Sequence, residues 1–276
     1  MSELRFDGRV AIVTGAGRGL GEAYARLLAE RGAQVVVNDR DGDVAEQVAA
    51  DIRGAADAHD VATDGAAIVD TALDRFGRID IVVSNAGSVS YATLPEADLG
   101  NLQEHLDVHV IGAFNVVRAA WPHMIEQGHG RVVLTTSTGM LGLPANLGYA
   151  TAKAALIGMA RQLRIAGRKH DIAVNLIAPA AATRMGGGDP EQLPPAQVAP
   201  IVAYLAHESC PVSGEILAAG GGRFARMFLA STQGYVDPAA TVEDVAAHWN
   251  AISDESDYYV PIDLRAWSTE FLRHLA

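Results

Sequence analysis

From its first residues the chain alternates short β-branched apolar runs with stretches of helical periodicity, and that alternation restricts the fold more than any other feature. Arg9 to Thr14, Gln34 to Asp39, Ile79 to Ser84, Arg131 to Thr135 and Asp171 to Ile177 read as buried strands, with Ala56 to Asp60 a weaker one. Leu20 to Arg31, Gly65 to Phe76, Leu102 to Gln127 and Tyr149 to Lys169 carry helix-period apolar positions. Strands apolar on both faces need cover on both faces, and helical crossovers between parallel strands supply it. The pattern therefore predicts an α/β protein with a doubly wound parallel sheet. A helix near Pro195 to His207 and a strand near Glu215 to Ala218 complete the expected core. With 276 residues, 49% of them hydrophobic, one sheet domain can hold all of this. After Gly222 charge and aromatics increase, with Trp249, Trp267 and one expected helix from Thr241 to Ile252. We read residues 1–222 as the sheet domain and 223–276 as an extension packed on it.

The first strand runs directly into Thr14-Gly15-Ala16-Gly17-Arg18-Gly19-Leu20-Gly21, and a helix follows. Without side chains, backbone N–H groups can approach a pyrophosphate at the positive end of that helix, which is the dinucleotide-binding (Rossmann) arrangement. A glycine-rich turn with no ligand is the alternative, and the strand–turn–helix setting argues against it. Asp39 ends the second strand, eighteen residues beyond Gly21. A carboxylate there can accept hydrogen bonds from both ribose hydroxyls and repels a 2′-phosphate, favouring NAD over NADP. Arg40 follows and partly offsets that repulsion; a plain strand-end turn is the other reading of Asp39.

Tyr149 and Lys153 lie one helical turn apart and can share a face, with Ser137 upstream. Such a pair alone describes many solvated helix faces. Beside a dinucleotide site it describes a proton carrier, because an ammonium near a phenol oxygen favours the phenolate. Oxidising a secondary alcohol removes a hydride from carbon and a proton from oxygen; the dinucleotide would take the first, Tyr149 the second, and Ser137 would stabilise the oxygen.

Across residues 8 to 222 these motifs resemble the short-chain dehydrogenase/reductase family. The resemblance implies a cofactor loop at Gly15, Arg18, Gly19, Leu20 and Gly21, a ribose contact at Asp39, and an adenine contact at Asp60 and Val61. It implies a strand-four motif at Asn85, Ala86 and Gly87, and a nicotinamide contact at Thr183. Ser137, Tyr149 and Lys153 would be the catalytic set, with Tyr149 and Lys153 also touching the cofactor and Lys153 lowering the Tyr149 pKa. It also implies a homodimer or homotetramer through the helices of residues 102–127 and 149–169, where Ala150, Ala152, Ala154, Ala155, Gly158 and Ala160 suit either helix contact or packing on the sheet. Three departures stand out. His109 occupies the position of an expected asparagine, either continuing a hydrogen-bond relay or filling space. Ser137 is one residue closer to Tyr149 than the pattern asks, leaving Thr136 as the rival hydroxyl. Pro179-Ala180 replaces Pro-Gly.

A narrower resemblance runs through Asp107 to Gly112, Val117 to Met124, Val198 to Pro200, His207 to Cys210 and Thr241 to Asn250. It is to a branch of the family that oxidises 3-hydroxyacyl-CoA esters and hydroxysteroids. It weakens between Met185 and Pro195, where Gly186 to Pro190 reads as a short flexible loop. The substrate is thus a small hydrophobic molecule or an acyl-CoA. Arg184, Arg223 and Arg226 are the candidates for CoA phosphates, and Leu141, Leu143, Leu147 and Met185 for an apolar cleft. A fatty-acid-type 3-oxoacyl thioester reductase and a dinucleotide sensor without turnover are the competing functions.

Composition excludes other classes. A net charge of -12 and a pI near 5.1 oppose nucleic-acid binding. The start of the chain lacks a signal-length apolar stretch and no long uncharged run follows, so no membrane partner and a cytoplasmic location are expected. Cys210 is the only cysteine, which rules out an intrachain disulfide, and His105, His109, His123 and His129 read as helix-surface or helix-end positions, so no metal is expected.

Overall fold

The computed structural model describes residues 3–185 and 187–275. Gly186, and with it part of the loop expected at 186–190, lies outside the described residues. The chain divides into two compact units, Met1–Arg226 and Met227–Ala276.

The first unit is the expected α/β sheet, flanked by helices. Strands β1 (Val10–Thr14), β2 (Gln34–Asn38), β3 (Ala55–Asp57), β4 (Ile81–Ser84), β5 (Gly130–Thr135), β6 (Ile172–Pro179), β7 (Ile216–Gly220) and β8 (Arg223–Met227) lie in the order β3-β2-β1-β4-β5-β6-β7-β8. The pairings from β3 through β7 are parallel, with Ile12 opposite both Val36 and Val82. Successive strands run outward from β1 in both directions, so a crevice opens at the carboxyl ends of β1 and β4, where ligands of such sheets bind. Helices α1 (Gly19–Glu30), α2 (Gly42–Ile52), α3 (Val61–Phe76), α4 (Leu99–His105), α5 (Gly112–Gln127), α6 (Leu147–Gly167) and α7 (Ala199–Ala206) complete the unit. On one side Tyr24 and Leu28 of α1 and Val202 and Leu205 of α7 close over Ala11, Val13 and Val37. Each large side chain among these is buried and contributes about 1.5–3 kcal/mol.

Several elements differ from the sequence reading. The expected strand at Ala56 to Asp60 is shorter, because Asp60 instead caps α3 by accepting from the Ala62 N–H at 2.9 Å. Helix α2 and strand β8 were not expected. The helix read as continuous from Leu102 to Gln127 is interrupted by a π-helical turn, Leu106–Ile111, where the Gly112 N–H bonds the Asp107 carbonyl five residues back.

In the second unit, β9 (Ser231–Thr232) and β10 (Tyr258–Tyr259) pair antiparallel. The expected Thr241 to Ile252 helix is two helices, α8 (Val242–Ala247) and α9 (Trp249–Ile252), broken at His248. Thr241 and Asp244 form a reciprocal capping box on α8. Helix α10 (Leu264–Phe271) stacks Trp267 on Phe271 at 4.5 Å. No helix among the described residues is long and apolar enough to cross a membrane.

Candidate active site

The dinucleotide end is built by two side chains that tie β1 to β4. Thr14 is fully buried, and its Oγ1 accepts from the backbone N–H groups of Asn85 and Ala86, each at 3.0 Å. Asn85 returns its amide to the carbonyls of Thr14 and Gly15 at 3.0 and 3.1 Å. These bonds set the turn, and glycine is required within it: a Cβ on Gly21 would lie 2.2 Å from the Gly15 carbonyl oxygen. Gly19 is different. It has φ +60° and open space on its side-chain face, the nearest atom being Thr183 Cγ2 at 3.8 Å. Arg18 caps α1 with extended backbone and no side-chain cap bond, so the N–H groups of Gly19, Leu20 and Gly21 open the helix toward this cradle. Space of this kind beside a helix start fits a pyrophosphate.

Asp39 stands at the end of β2, where its carboxylate accepts from the N–H groups of Gly17 at 3.0 Å and Asp41 at 3.1 Å. Arg40 is exposed and reaches toward Asp60 at 3.8 Å, while Arg18 pairs with Asp41 at 2.7 Å. The Val61 side chain is buried against Gly112. Thr183 pairs its backbone with Gly187 and lies across from Gly19, bringing the expected nicotinamide contact to the glycine loop.

The second end of the site gathers Ser137, Tyr149 and Lys153. Ser137 ends the stretch after β5 in an extended conformation and caps a short 3₁₀ turn, accepting from the Gly139 N–H at 3.0 Å. Its hydroxyl and the Tyr149 ring lie side by side against Gly139. The rival hydroxyl, Thr136, is buried and donates to the Lys153 carbonyl at 2.7 Å. Both hydroxyls lie against α6, Thr136 on its backbone at Lys153 and Ser137 by the Tyr149 ring.

Lys153 is buried, donates to the Thr135 carbonyl at 2.7 Å and lies 5.6 Å from the centre of the Tyr149 ring. Burial alone lowers its pKa to about 7. Burial raises the Tyr149 pKa above its ordinary value, against the neighbouring Ser137 hydroxyl, which lowers it; nearby Tyr91 raises it further. The sequence reading expected an ammonium to pull Tyr149 down. Here the amine sits over the ring and on a carbonyl, and it is itself partly neutral near pH 7, so desolvation dominates.

His109 is the residue in place of asparagine, and the π turn carries it into the site. Its Nε2–H donates to the Ser88 carbonyl at 2.8 Å, its Nδ1 has no hydrogen-bond partner among the described residues, and burial followed by the Lys153 charge lowers its pKa to about 2. Its ring meets the Tyr149 ring edge-on at 5.2 Å and stacks on His105 at 6.0 Å. Gly87 is small because His109 is there: a Cβ would lie 2.7 Å from its Cε1. The sequence reading missed three residues of this end, Tyr91, Asn101 and His105. None lies in a local motif, although the four-residue spacing of His105 and His109 placed them on one helix face.

The short chain dehydrogenase family profile matches residues 9–192. A putative short-chain type dehydrogenase/reductase of Mycobacterium tuberculosis is 44% identical over 271 residues, covering 90% of this chain and 95% of its own length. Peroxisomal multifunctional enzyme type 2 of Drosophila melanogaster is 40% identical over 279 residues, covering 92% of this chain but 46% of its own. This chain therefore spans about half the length of that relative, in agreement with the narrower resemblance read from Asp107 to Gly112. The full-length structure of the same Drosophila enzyme superposes with a TM-score of 0.84 at 32% identity, over 99% of this chain and 50% of that one. A 7α-hydroxysteroid dehydrogenase in complex with NADH and 7-oxo glycochenodeoxycholic acid superposes with a TM-score of 0.72 at 28% identity, over 80% of this chain and 98% of that one. With this profile match and these relatives, the chain belongs to the short-chain dehydrogenase family.

Proposed function

We propose that the protein is an NAD-linked dehydrogenase that interconverts a secondary alcohol and a ketone on an extended apolar substrate, a 3-hydroxyacyl-CoA ester or a hydroxysteroid. The observation that carries the proton half of this reading is the placement of Ser137 and Tyr149 side by side against Gly139, while the Thr136 hydroxyl donates to the Lys153 carbonyl instead. Ser137 orients the substrate oxygen and Tyr149 takes or returns its proton at the phenol oxygen. Lys153, donating to the Thr135 carbonyl, would hold the nicotinamide ribose of a bound dinucleotide. The dinucleotide, held by the Gly15–Gly21 loop and Asp39, supplies the hydride acceptor when bound. Backbone contacts hold the Asp39 carboxylate at the end of β2, so it would meet ribose hydroxyls and repel a 2′-phosphate.

The substrate side favours apolar chemistry. Tyr91, Leu141, Leu143 and Leu147 are exposed large side chains around this end, and Met185 is partly so. The cations first considered for CoA phosphates are weaker candidates: Arg226 pairs with Glu215 at 2.6 Å, and Arg184 acts on Asp41 beside the glycine loop. Arg223 remains exposed on β8. An acyl-CoA would then place its acyl chain on the apolar rim and leave much of its nucleotide in solvent. A solved relative is a 7α-hydroxysteroid dehydrogenase, which supports the steroid class, while the 3-hydroxyacyl-CoA class rests on the narrower resemblance read from the sequence. The oligomer implied by the family is part of the reading, since Ala154, Ala155 and Gly158 leave one face of α6 open to a second copy.

A panel of 3-hydroxyacyl-CoA esters of increasing chain length and of hydroxysteroids, supplied with NAD and followed by NADH absorbance, tests the proposal. Turnover of members of either class supports it. Turnover only with short polar alcohols, or only with NADP, contradicts it.

A further inference from the structure

We propose that His105 and His109 form a side-chain clamp that stands in for a missing strand, fixes the backbone of Ser88 to Tyr91, and so places Tyr91 as a specificity-determining wall of the substrate site. The proposal rests on Tyr149 being the proton carrier. After β4 the chain leaves the sheet, and residues 85–91 belong to no strand, so their backbone groups need other partners. In an extended chain the groups of residues two apart point the same way, and here the two histidines meet them in opposite senses. The His109 Nε2–H donates to the Ser88 carbonyl at 2.8 Å, and the Ser90 N–H donates to His105 Nε2 at 3.2 Å.

The second nitrogen of His105 fixes its tautomer. The His105 Nδ1–H donates to the Asn101 carbonyl at 2.7 Å, so His105 is the Nδ1–H form while His109 is the Nε2–H form. Simple core filling would explain burial but not two opposed tautomers facing one segment. Further bonds finish the attachment: Asn101 donates to Ser90 Oγ at 2.9 Å, and Ser90 Oγ donates to Glu104 at 3.1 Å. The π turn lets the two rings stack nearly parallel, 11° apart, and both then meet the Tyr149 ring edge-on.

The held segment delivers Tyr91 to the mouth of the site. Its hydroxyl donates to the Met185 carbonyl at 3.3 Å, ninety-four residues away, and lies near enough to Tyr149 to disfavour charge there. The next residue is tied as well, the Leu147 N–H donating to the Ala92 carbonyl at 3.3 Å. Tyr91 thus links the loop that follows Thr183 with the start of the helix that bears Tyr149. A substrate reaching Tyr149 must pass its ring. His105 and His109 are positioning residues that act through it, and burial beside Lys153 and each other keeps His109 neutral.

Two measurements test this. In 15N imidazole spectra of the full chain, assigned with His105→Gln and His109→Asn, the clamp requires His105 as the Nδ1–H and His109 as the Nε2–H tautomer, with His109 not titrating between about pH 5.5 and 8. Equal tautomers, or titration of His109 in that range, overturn it. The second is a double-mutant cycle with the best substrate of the panel. Tyr91→Ala and His109→Asn should each raise KM about five- to tenfold with kcat within about twofold and NADH affinity unchanged, and the double variant should be no worse than the poorer single. Effects that multiply, or losses confined to kcat or to NADH binding, overturn it. Failure of every panel substrate would remove the proposed function, yet the spectra would still decide the clamp.

Discussion

The two ends of the active site are made from different materials. At the dinucleotide end the geometry is set by sheet backbone: Thr14 and Asn85 lock β1 to β4, and Gly15 and Gly21 meet without intervening side chains. At the substrate end it is set by side chains hung from a distorted helix, with His105, His109 and Asn101 holding a segment outside any strand. The first end is anchored on the fully buried Thr14, while the second is rimmed by exposed Leu141, Leu143 and Leu147. A backbone-built end can vary little without unfolding. A side-chain-built end can be retuned one residue at a time, so substrate choice belongs there.

Predictions that break or sharpen this contrast begin with the two adjacent hydroxyls. Ser137→Ala should lower kcat by roughly 10²–10³, the size expected for losing one donor to the reacting oxygen, with little change in unfolding free energy. Thr136→Ala should do the reverse, retaining turnover and losing about 1–2 kcal/mol of stability because the buried bond to the Lys153 carbonyl disappears. Steady-state kinetics and urea melts on the pair check this. The reverse pattern would move catalysis to Thr136.

Lys153 couples the two kinds of end, and its pH behaviour follows from burial. Its amine titrates at the ordinary 10.5 in the unfolded chain and at about 7 when folded. Between those values the unfolded chain holds the extra proton, so this group makes stability rise with pH, and below about pH 7 the charge is buried at full cost. Lys153→Met should therefore lower turnover by about 10²-fold or more, yet gain about 1–3 kcal/mol near pH 6 and less near pH 9. Urea melts at the two pH values read it; a loss of stability near pH 6 would contradict the burial argument.

The smallest expected effect is at the dinucleotide end. Asp39→Ala should shift the NAD-to-NADP ratio of kcat/KM toward NADP by about ten- to a hundredfold. An unmoved ratio would mean that Asp39 only shapes the turn through Gly17 and Asp41.

What the sequence made legible follows the same division. The strand–turn–helix of the glycine loop, Asp39 and the Tyr149–Lys153 spacing are local patterns, and local patterns survive in one dimension. The choice of Ser137 over Thr136 depends on a carbonyl of α6 seventeen residues away. The π turn rests on a shifted hydrogen bond, Gly112 to Asp107, and leaves no compositional trace. Helix α2 was missed because it starts amid Asp-Gly-Asp, where turn residues dominate, although Ala45, Val48 and Ala49 keep a helical face in the core. The burial that raises the Tyr149 pKa and lowers that of Lys153 depends on tertiary packing and has no trace in their spacing.

The central claim is that Tyr149 carries the substrate proton in a site whose dinucleotide end is independent of it. Tyr149→Phe removes one oxygen and keeps the ring that His105 and His109 pack against. With a competent alcohol, NAD reduction by this variant should fall by about 10³-fold or more, while NADH binding, followed by fluorescence titration, stays within about threefold of the parent. Turnover within tenfold of the parent would contradict the account.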